Sequence, residues 1–229
     1  MVKRKRNYVR RRPKRKRRRT TKKKRRYTRL SRAPRRPLPQ KFKFRSRYVD
    51  LNRNLSSTAG QQVTHVYSAN GLYDPDRTGV GHQPIGFDQL MPMYDQYTVI
   101  ASKISVRCVP VAGQQGSCLF GLMAKEDTVS TNNIEKLMEN GNFKWTIVGH
   151  NNSYSRTLST GFSVKKWFPG STLANAELQG DVTRNPNEQV CFHVILQENG
   201  GAAGTFAVNI IVTIDYIAIL NEPKVIDQS

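Results

Sequence analysis

The sequence predicts an all-β body of eight antiparallel strands, packed as two sheets behind a polycationic arm. Three observations carry that expectation. Apolar and polar residues alternate at period two in run after run, with Gly, Pro, Asn and Asp clusters between the runs. Helical spacing is confined to two short pieces. Charge is segregated, since the first 36 residues hold 22 Lys and Arg and no Asp or Glu. Including Lys41, Lys43, Arg45 and Arg47, the first 48 residues carry +26. The other 181 hold 12 basic and 16 acidic side chains, a net of −4 within a total of +22.

The arm is built in blocks. Lys3, Arg4, Lys5 and Arg6 open it, and Arg10, Arg11 and Arg12 follow. Next come Lys14, Arg15, Lys16, Arg17, Arg18 and Arg19, then Lys22, Lys23, Lys24, Arg25 and Arg26, with Arg29, Arg32, Arg35 and Arg36 at the end. So many like charges with so few apolar side chains cannot collapse, and residues 1–36 are expected to stay disordered until a polyanion neutralises them. Arginine outnumbers lysine 15 to 7, which favours bidentate contact with phosphate. The same blocks suit nuclear import receptors, which also present acidic surfaces. Tyr8 and Tyr27 could stack on unpaired bases. Pro34, Pro37 and Pro39 then stiffen a linker, so the expected division is an arm and linker over 1–40 and a folded domain over 41–229.

At Lys41 the pattern changes to strict alternation. Phe42, Phe44 and Tyr48 fall on one face of a strand, and Lys41, Lys43, Arg45 and Arg47 fall on the other. Further strands are expected near 61–69, 96–111, 117–126, 143–149, 153–166, 189–198 and 205–220. In the last, Phe206, Val208, Ile210, Val212, Ile214, Tyr216 and Leu220 share a face opposite Asn209, Thr213 and Asp215. In the third, Ile100, Ile104, Val106 and Cys108 oppose Lys103, Ser105 and Arg107. One helical turn is expected after Asn132 as cap, with Ile134, Leu137 and Met138 on its buried side and Gly141 past its end. Another lies at 87–94, interrupted by Pro92. Among all-β architectures, eight antiparallel strands in about 180 residues fit a jelly roll best. Period alone does not give strand order.

Catalytic and metal signatures are missing. Cys108, Cys118 and Cys191 sit in apolar runs without CxxC spacing and read as buried thiols. His65, His82, His150 and His193 show no ligand spacing. The chain has no phosphate loop, dinucleotide fingerprint or GxSxG elbow, so neither an enzyme nor a cofactor is expected. Asp74, Asp76, Asp88 and Asp95 gather in the long 69–97 connection and could bind a divalent ion, although a turn at Asp74-Pro75-Asp76 accounts more simply for two of them. No apolar run is long enough for a membrane-spanning helix, and the N-terminus lacks a secretory signal.

The stretch from Gly71 to Pro84, GLYDPDRTGVGHQP, followed by Gly86-Phe87-Asp88-Gln89 and Tyr97-Thr98-Val99, resembles the capsid proteins of circular single-stranded DNA viruses that encode a replication initiator, the circoviruses and cycloviruses. The Arg-rich arm, the length of the body and the closing Leu220-Asn221-Glu222-Pro223 agree with that resemblance. It implies a T=1 shell of sixty identical subunits, with the arm inside on a circular single-stranded DNA genome read without sequence preference. It also implies entry into the host nucleus through import receptors, and attachment to host cells by outer loops, often through sulfated glycans. Virion and host nucleus are the implied locations. About 60 copies would bring roughly 1,560 positive charges, enough for most of a single-stranded circle of about 1.5 to 2.5 kilobases. The alternative is a nuclear nucleic-acid-binding protein with a β domain and a basic tail.

Overall fold

A computed structural model describes residues 37–113, 116–130, 132–149, 155–170, 173–199 and 204–226. Arm residues Lys3 to Arg36, and with them the expected disorder, lie outside this set, as does His150. Among the described residues, eight strands form: β1 Lys41–Thr58, β2 Gln62–Ser68, β3 Tyr94–Pro110, β4 Ser117–Lys125, β5 Lys144–Gly149, β6 Arg156–Ser163, β7 Cys191–Glu198 and β8 Thr205–Pro223. They pair antiparallel in two four-stranded sheets, ordered β1-β8-β3-β6 and β2-β7-β4-β5. Steps β1 to β2, β3 to β4, β5 to β6 and β7 to β8 each change sheet, which is the winding of a jelly roll.

The central strand of the first sheet shows why this packs. Every second residue of β8, from Phe206 to Leu220, is buried, and the residues between them are more open. Opposite lie Phe120, Leu122, Phe192, Val194 and Leu196 of the second sheet, in one continuous core. Here β4 and β7 do not alternate, because their other face is covered too. Helix α2, Ile134–Glu139, puts Leu137 with Leu119, Met123, Phe143 and Ile195 in a second core. Strands covered on both faces read as unbroken apolar runs. Gly121 leaves the space that the Phe143 ring fills; a Cβ there would come within 2.0 Å of it.

Cys108, Cys118 and Cys191 are buried free thiols, and burial pushes Cys108 up to about 12. At neutral pH it carries almost no reactive thiolate.

Several sequence expectations need correction. The first strand continues to Thr58 through a bulge between Asp50 and Arg53, where Asn52 is left-handed at φ 60°. The extra residue breaks the alternation after Tyr48 and it resumes at Leu55, so the second half of the strand is hard to see in the sequence. A second bulge, between Val99 and Ala101, takes Ile100 off the inward face assigned to it. Ser102 points inward instead, where its hydroxyl donates to the Ala69 carbonyl at 2.5 Å. The expected strand to residue 166 stops at Ser163, and Val164–Trp167 forms the helical turn α3. The cap of α2 is Asn133 rather than Asn132; its side chain accepts from the Lys136 N–H at 2.9 Å. The turn at 87–94 is present as helix α1, Phe87–Leu90, followed by a 3-10 turn containing Pro92.

Candidate nucleic-acid interface

The face of the first sheet turned away from the core carries six basic side chains. In β1, Phe44 and Tyr48 are buried, and Phe42, 39% exposed at the end of the strand, stacks on Tyr94. Lys41, Lys43, Arg45 and Arg47 are exposed on the opposite side, as alternation requires. Pairing through β8 brings a second basic row beside them. Arg47 lies opposite Asp215, and Asp215 lies opposite Lys103 of β3; Arg107 follows opposite Ile211. Neighbouring strands are about 4.8 Å apart, which sets the β1 and β3 rows roughly 10 Å apart.

Six cations therefore share this face with one carboxylate, and that carboxylate is already engaged. Arg47 makes a bidentate pair with Asp215, at 2.6 and 3.1 Å, which holds the guanidinium charged and reduces its net contribution to an anion's field. Among the described residues, no carboxylate pairs with Lys41, Lys43, Arg45, Lys103 or Arg107. Arg107 donates to the Ser155 hydroxyl at 2.9 Å. Lys103 and Arg107 are absent from the expected interface. Their outward direction was legible in the β3 alternation, but their proximity to β1 depends on β8 lying between the two strands.

The glycine- and aspartate-rich loop after β2 serves a structural purpose. Asn185 accepts from the Tyr73 and Asp74 N–H groups at 3.1 and 3.2 Å and returns a hydrogen bond to the Asp74 carbonyl at 3.0 Å. A Cβ on Gly71 would stand 2.5 Å from Asn185, so the first glycine of the motif permits this stitch. The side chain of Asp76 is fully buried between Arg53 and His65, while Asp95 pairs with Lys224 at 3.6 Å. The four loop aspartates thus do not form a common cation site. Among the described residues, the one group with metal-ligand geometry is Asp50, His65 and Asp76. Arg53 donates to both of its carboxylates, so their charge is met by a guanidinium.

Of the histidines, His82 stacks on Tyr48 at 4.7 Å, and two are buried. His65 Nε2 donates to Asp76 at 2.9 Å, and His193 Nε2 donates to the Asp127 carbonyl at 2.6 Å. Burial pushes both imidazoles below the ordinary histidine range; for His65 the nearby Asp76 carboxylate opposes the shift and Arg53 reinforces it. Both are thus neutral in the folded body near pH 7, and the unfolded chain binds their protons more readily. Stability from these groups is fully present above about pH 6.5 and is lost as pH falls below it. A urea midpoint that is level from pH 8 to 7 and drops below pH 6.5 is expected, with a weaker drop in His65→Gln. A midpoint that stays level to pH 5 would contradict it.

No family model matches the chain, and no curated protein matches it. Similar solved structures include the cryo-EM structure of mud crab tombus-like virus, 12% identical over 87% of this chain and 90% of that one, with a TM-score of 0.48. Desmodium yellow mottle tymovirus is 8% identical over 89% and 99%, at 0.44. A T=1 subviral particle of a Penaeus vannamei nodavirus capsid protein deletion mutant is 10% identical over 79% and 98%, at 0.42. At these scores the likeness adds nothing to the strand order given above.

Proposed function

We propose that the chain is the subunit of a small icosahedral shell, and that it condenses single-stranded DNA through its arm and the basic face of β1. The observation that carries this reading is the segregation of charge. A jelly roll whose residues 41–229 hold 16 basic and 16 acidic side chains is joined to 22 cations without one acid, and six of its cations share one sheet face. A shell has this need, since only its inner side must be strongly cationic. The functional domains are the arm and linker, 1–40, and the shell domain, 41–229. Lys3 to Arg36 with Lys41, Lys43, Arg45 and Arg47 bind phosphate without reading bases.

The sequence resemblance adds finer terms to the proposal: sixty copies with T=1 symmetry, a circular single-stranded genome, import into the host nucleus by the arm, and cell attachment by outer loops through sulfated glycans. Negative-stain electron microscopy of the purified protein, with sedimentation at neutral pH and moderate salt, tests the central claim. Uniform closed shells are expected. A monomer or dimer under those conditions would favour a nuclear binding protein with a basic tail.

A further inference from the structure

The groove beside β1 has an apolar component that phosphate binding does not use. Residues Pro84 to Gly86 run along the outer edge of that strand. The Ile85 N–H donates to the Arg47 carbonyl at 3.3 Å, and the Ser46 hydroxyl donates to the Ile85 carbonyl at 2.5 Å. With its backbone anchored at both groups, Ile85 as a residue is still 76% exposed. Ile85 and Ile217 of β8 line one groove of about 610 Å³, together with Arg45, Arg47 and Asp215. Ile219 is the next outward residue of β8, opposite Lys43, and Ile217 lies opposite Arg45. On the β3 side these isoleucines meet only the short side chains of Ala101 and Thr98.

We propose that this groove receives an unpaired nucleotide of a single strand, with its base against Ile85 and Ile217 and the adjoining phosphates on Lys43, Arg45 and Lys103. The inference rests on the nucleic-acid reading above and deepens it by naming a second site and the state of its ligand. Cations without carboxylate partners call for an anion, and the isoleucines call for a flat apolar face within a few ångströms of it. An unpaired strand supplies both. A duplex keeps its base faces within its own stack, and a sulfated glycan brings charge without a planar base. Arg47, tied to Asp215, forms part of the groove wall and adds less to the field there than the unpaired Arg45.

Photo-crosslinking of the full-length protein to a short thymidine oligonucleotide carrying 4-thiothymidine tests the assignment. Peptides containing Ile85 and Ile217 should be labelled along with the arm, and the same label in a duplex should mark the arm alone. Labelling confined to residues 1–36 with the single strand would overturn the proposal and leave the arm's role intact. Hydrogen-exchange protection of both segments on assembly without nucleic acid would overturn it too, by assigning the groove to a contact between copies. Ile85→Ala, on an exposed loop, should weaken single-strand binding about fivefold and leave duplex binding unchanged, the low end for one base contact. An equal loss on both would reduce the groove to charge alone.

Discussion

Deletion of residues 1–36 is expected to leave a folded β body that retains little nucleic acid. Among the described residues, both cores are built from residues between Phe44 and Leu220, all of which the deletion leaves in place. What it removes is 22 of the 26 cations in the first 48 residues. Six basic side chains remain on the outward face of the first sheet, one of them paired to Asp215. On single strands each neutralised phosphate contributes about −0.7 to the log-log salt slope, so the truncated body should show a slope no steeper than about −4. The full chain should be several times steeper. Far-UV circular dichroism tests whether the body folds, and the 260/280 nm absorbance ratio of purified particles reads the cargo. Truncated particles with full nucleic-acid content would show that the arm does not package the genome.

Arg53→Met should be the most damaging single substitution in the body. Arg53 donates to Asp50 at 3.0 Å and also to Asp76, joining the bulge of β1 to the long loop. Asp76 further accepts from His65 at 2.9 Å and from the Thr78 N–H at 3.1 Å, and Asp50 accepts from the Tyr67 hydroxyl at 2.8 Å. Without the guanidinium, two carboxylates face each other, and the side chain of Asp76 has no exposed surface. Leaving a buried charge unpaired costs about 3–5 kcal/mol; Arg53 is itself one-quarter exposed, which places the expected loss toward the lower value. Urea unfolding should show a lower midpoint at unchanged slope. Arg53→Met combined with Asp76→Asn should lose less than the single change, because the combination removes the unpaired charge as well. A single-variant loss below about 1 kcal/mol would mean that water reaches Asp76.

Alternation decided much of this protein before any pairing was known. The buried side of β8, the exposed cations of β1, the outward Lys103 and Arg107, and the buried Cys108 all follow from one rule, that side chains on a strand take opposite sides in turn. That rule is local, and it fails where the chain departs from it. The bulges at Asp50/Arg53 and Val99/Ala101 each shift the parity, which hid the second half of β1 and misplaced Ile100. It is also silent on β4 and β7, where cover on both faces removes the contrast.

Charge segregation and the direction of each strand's basic side are properties of the sequence by itself, because they depend only on residue type and on a period of two. The interface as a surface is a product of the tertiary structure. Insertion of β8 between β1 and β3 converts two separate basic rows into one face with isoleucines between them. The long loop, drawn back to β1 by Asp76 and Ile85, closes the groove beside it. The pairings of Asp215 with Arg47 and Lys103 join residues more than a hundred positions apart, and the free energy that selects them comes from burying the other side of the same strands.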